Sequence, residues 1–128
     1  MARILIVDDN ANNLTLMSYL LRAFGHDILS APNGAVAVEQ ASANRPDLIL
    51  MDLHMPALDG FQAAERIRAI PELSVTPIIA VTASAMVGDR DKILARGFNG
   101  YVSKPITPET FVQQVERFLP APGGPAAS

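Results

Sequence analysis

At 128 residues the chain has the length of a single domain, long enough to bury roughly two thirds of its unfolded surface. Its 49% hydrophobic and 18% charged residues, with a net charge of −3, exclude a disordered chain, and no Lys/Arg cluster suggests a nucleic-acid partner. The absence of cysteine excludes disulfides and thiolate metal sites, and no apolar run approaches the ~18 residues of a membrane span or the core of a signal peptide, so the expected setting is the cytoplasm.

Residues 3 to 7 (Arg-Ile-Leu-Ile-Val) predict a first strand, ending on Asp8, Asp9 and Asn10. A helix is expected from about Ala11 to Phe24, with Leu14, Met17, Leu20, Leu21 and Phe24 on its buried face and Gly25 as its stop. Asp27 to Ala31 reads as a weak strand, Pro32-Asn33-Gly34 as a turn, and the Ala-rich residues 35 to 43 as a helix. Leu48-Ile49-Leu50-Met51 has the unbroken apolar character of a central strand covered on both faces, and it ends on Asp52. A Pro/Gly loop from Met55 to Gly60 precedes a helix carrying Phe61, Ala64 and Ile67 at helical spacing, up to Pro71. Pro77 to Val81 is the fourth strand, ending on Thr82, and a less regular helix should run from about Ser84 to Arg96 and stop at Gly97. Residues 100 to 103 make a fifth strand before Lys104-Pro105. Thr107-Pro108-Glu109 then opens a last helix with an N-cap, whose apolar face is Phe111, Val112, Val115, Phe118 and Leu119. Residues 1–119 are thus read as one α/β domain, a doubly wound (βα)5 parallel five-stranded sheet. Residues 120–128 (Pro-Ala-Pro-Gly-Gly-Pro-Ala-Ala-Ser) are read as a disordered Pro/Gly/Ala tail.

In a parallel sheet every strand delivers its C-terminal residue to one edge, where ligand crevices of such folds open. The residues so delivered are Asp8 and Asp9, Asp52, Thr82 and Lys104. Each has a bland reading alone: an acidic N-cap pair, a turn aspartate, a strand-end threonine, a surface lysine. Together these readings require five coincidences at one edge. Three converging carboxylates repel one another unless neutralised, and a hard cation such as Mg²⁺ suits an oxygen-only donor set. With Lys104 beside it, the metal balances the charge and keeps positions for phosphoryl oxygens. Asp52 is then placed as a nucleophile toward phosphorus, with Lys104 and the cation steadying the equatorial oxygens and Thr82 donating to the product.

Ile-Leu-Ile-Val-Asp8-Asp9-Asn10, Leu-Ile-Leu-Met-Asp52-Leu-His-Met-Pro56, Asp59-Gly60, Ala80-Val-Thr82-Ala83 and Tyr101-Val-Ser-Lys104-Pro105 resemble, in order and spacing, the receiver domain of two-component response regulators. Residues 83 to 89 most resemble the stand-alone DivK-like regulators and the receivers of hybrid kinases. The resemblance implies a flavodoxin-like strand order 2-1-3-4-5 and a phosphoacceptor at Asp52. It implies Mg²⁺, or Mn²⁺ in its place, held by Asp8, Asp9, Asp52 and the backbone carbonyl of His54, with Lys104 paired to the phosphoryl group. Thr82 and Tyr101 would form a switch pair, and the Lys104-Pro105 bond would be cis. The implied partners are a histidine kinase or histidine phosphotransfer protein upstream and a protein target downstream, with neither nucleic acid nor membrane. The chain would be a phosphoacceptor that assists its own phosphorylation and dephosphorylation rather than an enzyme with a separate substrate.

His54 and Ser84, each two residues past a site residue, flank the route of water to an acyl phosphate, although plain solvent exposure also accounts for His54. His26, beside Gly25, has no such role. Leu16 and Tyr19 lie about 100° to 160° from the centre of the first helix's apolar face and are expected to be solvent-accessible and to meet the phosphodonor. Pro105 and Ile106 complete the expected partner-binding set. A haloacid-dehalogenase-type phosphatase needs a second Asp where His54 stands, and a flavin binder needs a hydroxyl-rich loop where Asp8-Asp9 would repel phosphate. A receiver-like module that docks without phosphorylation typically lacks an acid or the lysine, and none is missing here. A starting Met beside the first strand and the tail favour a free-standing protein over a receiver segment of a hybrid kinase.

Overall fold

A computed structural model describes residues 2–55, 57–83 and 87–119, with the backbone alone for residues 87–89. The tail expected at 120–128, Pro56 of the loop, and Ser84 at the expected start of the fourth helix lie outside the described residues. The elements follow in strict alternation: β1 (Arg3–Val7), α1 (Ala11–Ala23), β2 (Asp27–Ala31), α2 (Gly34–Asn44), β3 (Leu48–Asp52), α3 (Gly60–Arg68), a 3₁₀ turn (Pro71–Leu73), β4 (Ile78–Thr82), α4 (Val87–Ala95), β5 (Gly100–Ser103) and α5 (Pro108–Glu116). All four strand pairings are parallel and the order is β2-β1-β3-β4-β5, as the resemblance implied.

The unbroken apolar runs are explained by a sheet covered on both faces, since alternate side chains enter different layers. Ile4, Ile6, Leu48, Leu50, Ile79 and Val81 pack with Met17 and Leu21 of α1 and Phe111, Val112 and Val115 of α5. Leu5, Val7, Ile49, Met51, Ile78 and Ala80 pack with Ala37 and Ala41 of α2, Ala63, Ala64 and Ile67 of α3, and Ile93 of α4. Reversal of the strand order between β1 and β3 puts the buried end of β3 in the middle of the sheet.

Helix ends follow local chemistry. Gly25 and Gly97 both take positive φ, 90° and 96°, just past α1 and α4. In each case the glycine N–H and the next N–H bond back to carbonyls of the last turn, the Schellman arrangement. The structure corrects one expectation and qualifies another. Phe24 belongs to the apolar face by angle, but α1 has already ended at Ala23; Phe24 is its C-cap and is 63% exposed. Thr107 holds the N-cap position of α5 without a side-chain cap; Pro108 has no N–H, and Phe111 N–H goes to the Thr107 carbonyl.

Candidate functional site

The C-terminal ends of β1, β3, β4 and β5 converge as expected. Register places Met51 opposite Val7 and Asp52 opposite Val81, so the residues just beyond β1 and at the ends of β3 and β4 share one edge. Asp8, Asp52 and Thr82 are buried, whereas Asp9 is exposed. Asp8, Asp9 and Asp52 each offer a carboxylate oxygen within 4.8 Å of the others. Lys104 reaches over them, with Nζ 3.2 Å from Asp8 Oδ2 and 3.5 Å from Asp52 Oδ1. Its backbone is fixed by Lys104 N–H donating to the Thr82 carbonyl at 2.8 Å, and the Lys104–Pro105 bond is cis.

Backbone donors orient the two buried acids. Asp8 Oδ1 accepts from Asn10 N–H at 2.8 Å, and Asp52 Oδ1 accepts from His54 N–H at 3.1 Å. Asn10 in turn caps α1 through its side chain, which accepts from Asn13 N–H, so the first acid and the start of the first helix are set by one loop. Asp8 Oδ2 is different. It is buried and, among the described residues, has no aligned hydrogen bond, because the Lys104 ammonium approaches it as a charge without donor geometry. Burial raises the Asp52 carboxyl to about 6 against the lowering effect of the His54 N–H, with Asp8 raising it further, Lys104 lowering it and Asp9 again raising it.

A hard divalent cation fits this donor set. The ligands are all oxygen, three carboxylates face one ammonium, and Asp8 Oδ2, ion-paired with Lys104 but accepting no aligned hydrogen bond among the described residues, has acceptor capacity left for a further positive charge. Such an ion would draw on Asp8, Asp9 and Asp52.

Among the other candidates, Tyr101 is half-buried against the α2–α3–α4 core, and the His54 side chain is exposed. On α1, Tyr19 is 70% exposed while Leu16 is half-buried, so only the tyrosine is freely accessible. Pro105 is exposed and Ile106 half-buried against the α1–α5 core. Gly60 is a site residue that the sequence marked only by the Asp-Gly pair. A Cβ there would run into the Asp52 carbonyl oxygen and crowd Leu53 Cα, so a side-chain-free residue lets the loop close behind the acid. Asp59 and Gln62 lock that closure with a reciprocal capping box.

The chain matches the response regulator receiver domain family over residues 4–116. It is 38% identical over 116 residues to the polar-differentiation response regulator DivK of Brucella anthropi, covering 91% of this chain and 94% of that protein. It is 41% identical over 120 residues to the signal transduction histidine-protein kinase BarA of Escherichia coli, covering 94% of this chain but 13% of the kinase. Among solved structures, Vibrio cholerae CheY4 superposes with a TM-score of 0.89 at 30% identity, covering 93% of this chain and 99% of that one. The receiver domain of sensor histidine kinase PA1611 of Pseudomonas aeruginosa, which has a magnesium ion coordinated in its active-site cleft, gives 0.83 at 38% identity, covering 91% and 96%. Fold, edge geometry and sequence therefore agree that this chain belongs to the response regulator receiver domain family.

Proposed function

We propose that the chain is a single-domain response regulator that accepts a phosphoryl group on Asp52 from a phosphohistidine donor. The observation that carries this reading is the buried Asp52 carboxylate at the centre of the sheet edge, ringed by Asp8, Asp9 and Lys104. In the transfer an Asp52 oxygen forms the O–P bond as the N–P bond of the donor breaks, and the imidazole nitrogen keeps the electron pair. Mg²⁺, or Mn²⁺, when bound by Asp8, Asp9, Asp52 and the His54 carbonyl, supplies charge neutralisation at the phosphoryl oxygens. Lys104, within 3.2 Å of Asp8 and 3.5 Å of Asp52, would add a second positive charge.

Thr82 and Tyr101 serve as the switch pair: the hydroxyl turns toward the phosphoryl group and the ring moves behind it, biasing two pre-existing states. The readout surface is α4, β5 and α5 with Pro105 and Ile106, and Leu16 and Tyr19 receive the donor. The chain assists its own phosphorylation and dephosphorylation, and His54 stands where water must pass. The upstream partner is a histidine kinase or histidine phosphotransfer protein, and the downstream target a protein. The match to BarA also supports a second reading, the receiver segment of a hybrid kinase, in which the same site chemistry operates. Among the described residues no helix is long and apolar enough to cross a membrane, and the proposed setting is the cytoplasm. The test is labelling by a phosphohistidine domain and by a small acyl phosphate, each with Mg²⁺. Wild type takes one phosphoryl group and Asp52→Asn takes none. Stoichiometric labelling of that variant would refute the assignment.

A further inference from the structure

The fourth helix is seated in an unusual way. Of its described side chains only Ile93 is buried, while Leu94 is 45% exposed. Two aromatic rings, approached by cations, supply further contacts. Toward its C-terminal half, Arg96 lies 4.6 Å and Lys92 5.9 Å from the centre of the Phe61 ring on α3. Arg96 also pairs with Glu65 at 3.0 Å, and Phe61 is held edge-on against Phe98. Toward its N-terminal half, Arg90 lies 5.6 Å from the centre of the Tyr101 ring on β5. Among the described residues Arg90 forms no ion pair. Phe61 is thus a ring fixed on both sides, whereas Tyr101 is half-buried at the rim of the core with Arg90 over it.

We propose that Arg90 is a positioning residue for Tyr101, holding the ring in its present orientation and carrying its movement to the N-terminal half of α4. This rests on the reading of Tyr101 as the mobile member of the switch pair. A guanidinium over a tyrosine at a partly exposed site biases the ring's two positions by about two- to fivefold. When the ring moves, Arg90 loses its seat while Arg96 and Lys92 keep theirs on Phe61.

The chain holds only two tyrosines, Tyr19 and Tyr101, so fluorotyrosine labelling yields two ¹⁹F signals, with the α1 tyrosine as internal reference. Spectra are recorded for wild type, Arg90→Gln and Arg90→Lys, with and without Mg²⁺ plus beryllofluoride as phosphoryl mimic. In wild type the mimic moves the Tyr101 signal. In Arg90→Gln without the mimic, that signal is displaced toward the mimic-bound position by about a two- to fivefold change in population, Tyr19 stays in place, and Arg90→Lys restores most of the wild-type position. A general loss of packing would lower the melting temperature without moving Tyr101 along that line and without rescue by lysine. An unmoved Tyr101 signal in Arg90→Gln, or one displaced the other way, overturns the role of Arg90 while leaving the switch pair intact. If the mimic binds wild type, as amide shifts around Asp52 report, and still leaves Tyr101 unmoved, the switch assignment falls and Arg90's role with it.

Discussion

The two ends of the sheet treat charge in opposite ways. At the N-terminal end of β4 and β5, Arg68 on α3 donates to the carbonyls of Gly97, Leu73, Ser74 and Thr76 and to Asn99 Oδ1, which also accepts from Ile78 N–H. A single guanidinium closes the 3₁₀ turn, the α4–β5 loop and the start of β4 into one saturated network. At the C-terminal end three carboxylates gather beside one lysine, which pairs with Asp8 and Asp52, one buried oxygen lacks an aligned donor, and Asp52 is pushed up to about 6. One end is built for stability and the other is left short of positive charge. Under-satisfied polar groups are costly, so their concentration at one edge of an otherwise consistent fold marks the place where a ligand is meant to complete the structure.

Breaking the functional end has the largest expected effect. Asp52→Asn removes the carboxylate proposed as the nucleophile, so labelling is expected to fall to background with either donor, as phosphate incorporation measured by mass would report.

Breaking the structural end is expected to cost stability and leave chemistry alone. Arg68→Met removes a charged donor from several carbonyls and should lower unfolding free energy by about 2–4 kcal/mol in urea titration. Arg68→Lys should recover less than half, because an ammonium cannot match the planar fork. Mg²⁺ affinity of the folded fraction should stay at the wild-type value. A parallel loss of Mg²⁺ affinity would show that the two ends are not independent.

The charge excess also has a signature in pH. The Asp52 carboxyl is raised from 3.8 to about 6, so the folded chain binds a proton across that window which the unfolded chain has released. Stability from this group is therefore present below about pH 4 and is lost as pH rises through 6. Asp52→Asn, which does not titrate, should exceed wild type by about 1–2 kcal/mol at pH 7 without metal and lose that margin by pH 4. Saturating Mg²⁺ should stabilise wild type and do much less for the variant. Melting curves at the two pH values decide it; a wild type more stable than Asp52→Asn at pH 7 without metal would contradict the charge-deficit account.

The functional end was far more legible in the sequence than the structural one. Asp8, Asp9, Asp52, Thr82 and Lys104 each follow an apolar run, and a parallel sheet sends all such residues to one edge. Strand burial was equally plain in Ile4–Val7, Leu48–Met51 and Ile78–Val81, because a two-faced core leaves no polar alternation. Arg68 gave no signal, since its partners are backbone carbonyls and any arginine at a helix end reads as solvated. His26 was missed for the same reason: its nearly buried ring accepts from Ala2 N–H at Nδ1 and meets Glu116 at 2.8 Å, contacts that join residues 24 and 90 positions apart. Phe24 shows the complementary limit, because helical periodicity cannot say where a helix stops.

The smallest expected effect concerns the surface beside the site. Helix α1 begins directly after the acidic pair, and on its outer side Tyr19 is 70% exposed with Leu16 half-buried one turn before it. An exposed tyrosine carries a large apolar area at little entropic cost, which is why such residues anchor interfaces. Tyr19→Ala removes that area without touching the fold and should slow transfer from the cognate histidine domain by about fivefold, the order expected for losing a peripheral anchor worth ~1 kcal/mol. Leu16→Asp should slow it more, but Leu16 is partly packed, so part of that loss would come from destabilisation and must be separated by a melting curve. Labelling by a small acyl phosphate needs no docking surface and should keep its wild-type rate in Tyr19→Ala. Equal losses with the two donors would place the defect at the Asp52 site and remove Tyr19 from the docking face.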